Sequence, residues 1–180
     1  MSAALMSLAT ACIKGSESVA SPSTSTETLR AAAEATLAEP CGTLDFVRFF
    51  ADGREHTHTR YVLPDRLRST GPGVETILIG ETTYISNGLG GFNVVSTPGG
   101  VLSTGSLATI QMLESVTVTH ASDGTFAFDT SDATGDAVVA DGLVASVDFT
   151  SVVGEHPLRR RVRIDTSAHC ADISAPETPA

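Results

Sequence analysis

With 180 residues, 41% of them hydrophobic and 18% charged, the chain is long enough for one domain with a sizeable core, and its composition is not that of a disordered protein. A formal net charge of -10 at pH 7 excludes nucleic acid as a partner, because binding phosphates needs a concentrated basic surface. No stretch approaches the length of a membrane-spanning helix, so any membrane contact is by an anchor.

The chain opens on Met1-Ser-Ala-Ala-Leu-Met-Ser-Leu-Ala-Thr-Ala-Cys12, an apolar run with small residues just before a cysteine. Residues 1–12 resemble the end of a lipoprotein signal peptide, with Leu8-Ala-Thr-Ala-Cys12 as the cleavage box. Small residues fit the narrow subsites of a signal peptidase, and the new N-terminal Cys12 would carry acyl chains. The other reading is a cytosolic N-terminus with a stray cysteine. Residues 13–25 are rich in serine and threonine and read as a flexible tether or a disordered tail. Thr24-x-x-Glu27 is a capping-box pattern, and Leu29, Ala32, Ala33 and Leu37 recur at helical spacing until Pro40 ends the helix.

Thr43–Phe50 reads as the first strand, with Leu44, Phe46 and Phe50 on one face, and Asp52-Gly53 turns it into a polar strand, Arg54–Val62. Leu63-Pro64 forces an extended break. Val74–Ile79 is apolar on both faces, Gly80-Glu81 suits a tight hairpin, and Thr82–Ser86 is the return strand. Gly90, Gly91, Pro98, Gly99 and Gly100 predict an irregular loop that interrupts the sheet. Leu107, Ile110 and Leu113 give Ser106–Ser115 a helical period. Strands follow at Val116–His120, Thr125–Phe128, Ala137–Ala140, Leu143–Thr150 and Leu158–Thr166, with Asp123-Gly124 and Asp141-Gly142 as hairpin turns. The expected class is α+β, a strongly curved antiparallel sheet with two helices on one face, in one domain over residues 26–176 and a short tail at 177–180.

Of three cysteines, lipidation of Cys12 leaves Cys41 and Cys170 as an even pair for a disulfide in an oxidising compartment, tying together the two ends of the domain. A Cys-x-x-Cys metal spacing does not occur. His56 and His58 share a strand face, with His120 or Glu55 as a third ligand at most, so no metal site is expected. Arg159, Arg161 and Arg163 share another face, either to meet anionic head groups or, as the favoured reading, to pair with Asp148 or Asp165. There is no nucleophile elbow, phosphate-cradling loop or zinc-protease helix, hence no expected catalytic residue, enzyme activity or cofactor.

The ordered pattern Tyr61-Val-Leu-Pro-Asp-Arg-Leu-Arg68, a spacer, then Glu75-Thr-Ile-Leu-Ile-Gly-Glu-Thr-Thr-Tyr-Ile-Ser86 resembles the bacterial envelope lipoproteins of the LppX/LprG type. The resemblance covers Thr43 through Pro176 and implies a LolA-like half-barrel. Family members often carry a tryptophan after the tyrosine strand, where this chain has Phe92 as the nearest substitute. Phe46, Phe50, Ile77, Ile79, Tyr84, Phe126, Phe128, Val147 and Phe149 come from several strands, and on their own pattern they either fill a core or line a hollow. The resemblance implies the hollow, a cavity for a lipid or acylated molecule. It further implies a monomer secreted and anchored to the outer face of the cell membrane. The alternative is an envelope sensor or protein-interaction module related in fold to RseB-type regulators, without lipid transport.

Overall fold

A computed structural model describes residues 22–99, 105–153, 156–167, 170 and 172–176. Cys12, residues 1–21 of the leader and tether, and the tail at 177–180 lie outside the described residues. The first helix, α1, spans Pro22–Ala38. It opens two residues before the expected capping box: proline has no amide hydrogen to leave unpaired in a first turn, and its φ is already helical. Thr24 therefore lies inside the helix, where its carbonyl accepts from Thr28 Oγ1 at 2.9 Å.

Six strands follow, β1 (Cys41–Phe50), β2 (Gly53–Val62), β3 (Arg66–Gly71), β4 (Val74–Ile79), β5 (Thr82–Ser86) and β6 (Phe92–Ser96). Helix α2 (Gly105–Met112) continues into a 3-10 turn at Leu113–Ser115. Then come β7 (Thr117–Ser122), β8 (Thr125–Asp129), β9 (Ala133–Ala140), β10 (Leu143–Val153) and β11 (His156–Asp165). The fold is α+β, as expected. Two of these elements correct the sequence reading. β3 follows the break at Leu63-Pro64 as a separate strand, and the glycine-rich stretch after Gly90 contains β6. Phe92-Asn-Val-Val-Ser96 is short but β-branched, and it pairs with β5 from Ser86↔Phe92 to Thr82↔Ser96.

All eleven strands form one antiparallel sheet in the order β6-β5-β4-β3-β2-β1-β11-β10-β9-β8-β7. Each neighbouring pair adds roughly 20 to 25° of twist, so a sheet this wide curls on itself. Asp123-Gly124 and Asp141-Gly142 hold positive φ at both turn residues, the backbone that a two-residue hairpin needs to match strand twist.

The curl gives the sheet a concave and a convex face. Leu29, Ala32 and Ala33 of α1, Leu107 and Ile110 of α2, and Leu113 pack into one core with Leu44, Phe46, Val118, Phe126, Phe128, Ala137, Val144, Val147, Phe149 and Val162 of the concave face. Polar pins fix the angle of α1. Thr26 Oγ1 accepts from the Val118 amide at 3.0 Å, Thr36 Oγ1 accepts from the Val144 amide at 2.8 Å, and Arg30 Nε donates to the Glu114 carbonyl at 2.8 Å. Both threonines supply acceptors to strand amides, which accounts for polar side chains on a core-facing helix.

Candidate ligand-binding site on the concave face

The helices do not share the concave face evenly. α1 packs chiefly on β7, β10 and the turn after α2, with a smaller contact on β9, and α2 packs on α1 and β10. The register aligns Tyr61, Leu67, Leu78 and Thr83 into one row across β2 to β5 on the same concave face. Thr59, Ser69, Thr76 and Ile85 form the next row, in which Thr59 Oγ1 donates to Ser69 Oγ at 3.0 Å. Tyr61, Leu67 and Leu78 are buried although neither helix packs extensively on their strands. An apolar row flanked by a hydroxyl row, on the half of a curved sheet where the two helices do not pack extensively, offers an amphiphile both kinds of contact.

Tyr61 stands out within it. The residue is 1% exposed, and its hydroxyl has no hydrogen-bond partner among the described residues. Its ring lies over Gly42, where any Cβ would stand 2.8 Å from the hydroxyl, so only glycine admits the ring. Burial first, and the charge of Glu39 second, pushes the Tyr61 pKa up to about 12 from 10.0. A raised folded-state value means a stability contribution that is intact below the unfolded value and lost as pH rises through the folded one. Stability should therefore fall from pH 10 towards 12, by about 1.4 kcal/mol per pH unit. Tyr61→Phe should lack this alkaline loss. In Tyr84→Phe protein Tyr61 is the remaining tyrosine of the two, and its absorbance titration should have a midpoint near 12. A midpoint at the ordinary tyrosine value would show a solvated ring.

Of the residues expected to line a cavity, Phe46, Phe126, Phe128, Val147 and Phe149 lie together on the concave face and are buried. Phe50 is on the same face but at its open end, 43% exposed. Ile77, Ile79 and Tyr84 are a correction: they point to the convex face. Leu78, their neighbour, is the one aligned with Leu67 and Tyr61, and side chains alternate along a strand. β4 is apolar on both faces, so a shift of one residue in the sequence reading exchanges the two sets. Ile77 is nonetheless 3% exposed. The C-terminal segment 172–176 returns to this region, where Arg66 Nη1 donates to Asp172 Oδ1 at 2.9 Å and to the Ile173 carbonyl at 3.4 Å, and Ile173 is itself buried. The disulfide joins Cys41 to Cys170 with Cα atoms 5.4 Å apart, so it starts the segment on this path.

The convex face also carries the arginine stripe. Asp148 accepts from Arg159 at 2.9 and 2.8 Å and from Arg161 at 2.9 and 2.6 Å, which makes charge pairing the use of these two residues. The Arg159 hydrogen bond leads in holding the Asp148 carboxyl below its usual range, with Arg161 adding to it. Phe49 lies under both guanidiniums, at 5.1 Å from Arg159 and 5.8 Å from Arg161. His58 Nδ1 and His56 Nε2 reach one oxygen of Asp45, at 2.9 and 3.3 Å. Glu55 lies on the other face, opposite Arg48. Among the described residues no three histidine, cysteine or carboxylate side chains are placed to hold a metal ion. A recess of about 380 Å³ beside Asp45, lined by Ser146 and Arg163, belongs to this face as well.

No protein-family profile matches the chain, and no curated protein matches it in sequence. Among solved structures it is similar to LprF from Mycobacterium bovis, at 10% identity and a TM-score of 0.47 over 88% of this chain and 98% of that one. It is also similar to a LolA superfamily protein from Nitrosomonas europaea, at 8% identity and a TM-score of 0.35 over 86% of this chain and 94% of that one.

Proposed function

We propose that this chain is a cell-envelope protein that binds or carries a lipid or lipidated molecule on the concave face of its sheet. The observation that carries the reading is the uneven cover of that face. Both helices gather over the β7–β10 half, while the apolar row Tyr61, Leu67 and Leu78 continues across strands on which they do not pack extensively. In this reading residues 1–12 are the end of a signal peptide, Cys12 is the lipid anchor, and the residues up to α1 are a tether that holds a monomeric domain off the outer face of the membrane. The function is binding, with no chemical step or cofactor assigned.

Lipid extracted from native protein and identified by mass spectrometry tests the reading most directly. Leu78→Trp, which places bulk on the concave face, should reduce bound lipid with little loss of melting temperature. Ile79→Trp, on the convex face, should leave lipid unchanged. In a filled core the same overpacking at Leu78 costs roughly 1 to 3 kcal/mol. Strong destabilisation by Leu78→Trp, with no lipid in the parent, would mean a solid interior and end the carrier reading. The anchor is tested separately: the parent should partition into detergent and Cys12→Ala into the aqueous phase. Equal partitioning of the two would remove the anchor without touching the concave face.

A further inference from the structure

Arg48 and Arg160 stand directly opposite each other across β1 and β11, on the concave face two residues along from Phe46 and Val162. Each guanidinium lies over a phenylalanine of that face, Arg48 over Phe46 at 5.5 Å and Arg160 over Phe149 at 5.7 Å. Like charges directly opposite in a sheet repel, and here little offsets them. Arg48 meets Glu55 at 4.0 Å, and no carboxylate pairs with Arg160 among the described residues. The contrast lies within one strand. Arg159 and Arg161 on the convex face both close on Asp148, and Arg160 between them has no acid partner among the described residues. Burial, with the charge of Arg48 second, holds the Arg160 pKa below its ordinary value, so the site already bears the cost of a crowded cation. Phe50, two residues beyond Arg48, leaves an apolar ring partly in solvent at the same end.

We propose that Arg48 and Arg160 form an anion clamp at the open end of the concave face, taking the phosphate of a lipid head group whose acyl chains enter past the exposed ring of Phe50. Two guanidinium forks on facing residues of neighbouring strands can both turn to the oxygens of one phosphate, and the anion relieves their mutual repulsion. The aromatic rings beneath hold the forks in place. This inference rests on the lipid-binding reading, and names the charge of the head group that the face prefers.

The test compares fluorescent phosphatidic acid with diacylglycerol of the same acyl chains, each titrated into the purified protein. The parent should bind phosphatidic acid about ten-fold or more tightly, the value of one charge-assisted hydrogen bond or more. Arg48→Gln with Arg160→Gln should bring phosphatidic acid down to the diacylglycerol level and leave diacylglycerol unchanged. Arg159→Gln, which removes a charge from the same strand on the other face, should keep the preference. If the double variant does not fold, Arg160→Gln alone carries the comparison. Equal affinity of the parent for the two lipids, or equal loss of both in the double variant, overturns the clamp and leaves lipid binding standing. Displacement of phosphatidic acid by inorganic phosphate at comparable concentration would assign the site to free phosphate and overturn the head-group role. Should neither lipid bind, the lipid reading fails. Calorimetry with inorganic phosphate then decides the clamp by itself: heat that requires both arginines keeps an anion site, and its absence removes one.

Discussion

Replacing Cys41 and Cys170 by serine together should lower stability by about 4 to 5 kcal/mol, in the chain-entropy account of a bridge between residues 129 apart in sequence. For a domain of this size the loss corresponds to a fall in melting temperature of roughly 10 to 15 °C. The structure adds a native-state reason for an effect at the upper end. Cys170 leads into the segment that places Asp172 on Arg66 and buries Ile173, so cutting the bond frees that segment as well. Chemical denaturation of the double variant and of the reduced parent should give the same lowered midpoint. A midpoint within 1 kcal/mol of the oxidised parent would mean that packing at Ile173 and Arg66 already holds the segment, with the bridge redundant.

Gly135→Ala should cost about 2 to 3 kcal/mol, the upper range for forcing atoms into a packed interior, and Gly135→Val should prevent folding. On the concave face Gly135 stands directly between Phe149 of β10 and Phe128 of β8. A Cβ there would meet the Asp148 carbonyl oxygen, and would lie 2.6 Å from Phe149 Cβ and 2.7 Å from Phe149 Cα. Those are backbone and first side-chain atoms that no rotamer change removes. The glycine lets β9 and β10 approach closely, with a phenylalanine opposite it on either side. Urea unfolding of Gly135→Ala measures the cost, and a loss under 0.5 kcal/mol would show that β9 has slack to move.

Much of this architecture is legible in the residues. The Asp-Gly turns demand positive φ and set the β7–β8 and β9–β10 hairpins, and Leu29, Ala32, Ala33, Leu107, Ile110 and Leu113 mark the two core-facing helix stripes. The alternation in β1 puts Leu44, Phe46 and Phe50 on one face, where they are found. What is not legible follows from physical ambiguity. β4 has apolar side chains at Ile77, Leu78 and Ile79, so its inward face depends on pairing with Leu67, a partner in a strand that the proline break conceals. The row Tyr61, Leu67 and Leu78 is missed for that reason. The opposition of Arg48 and Arg160 is equally hidden, because it depends on a register between residues 112 positions apart in number, 160 less 48.

The place of β11 in the sheet has a consequence for the order of events in making the molecule. The strand formed last in the chain sits between β1 and β10, in the interior of the sheet beside its central strand. Until it emerges, β1 to β6 and β7 to β10 are two separate meanders, each presenting a raw inner edge with unpaired amides and carbonyls. Hairpins within each half close in microseconds, whereas the joining step waits on the full length of chain and must bridge the largest sequence separations in the fold. A chain emerging in order from its N-terminus would thus hold both halves assembled, touching through α1 on β7 and β10 but with no strand paired between them. Its vulnerable interval is the time between the appearance of β10 and that of Val162, the residue that ties Phe46 to Val147 and brings the two halves onto one core.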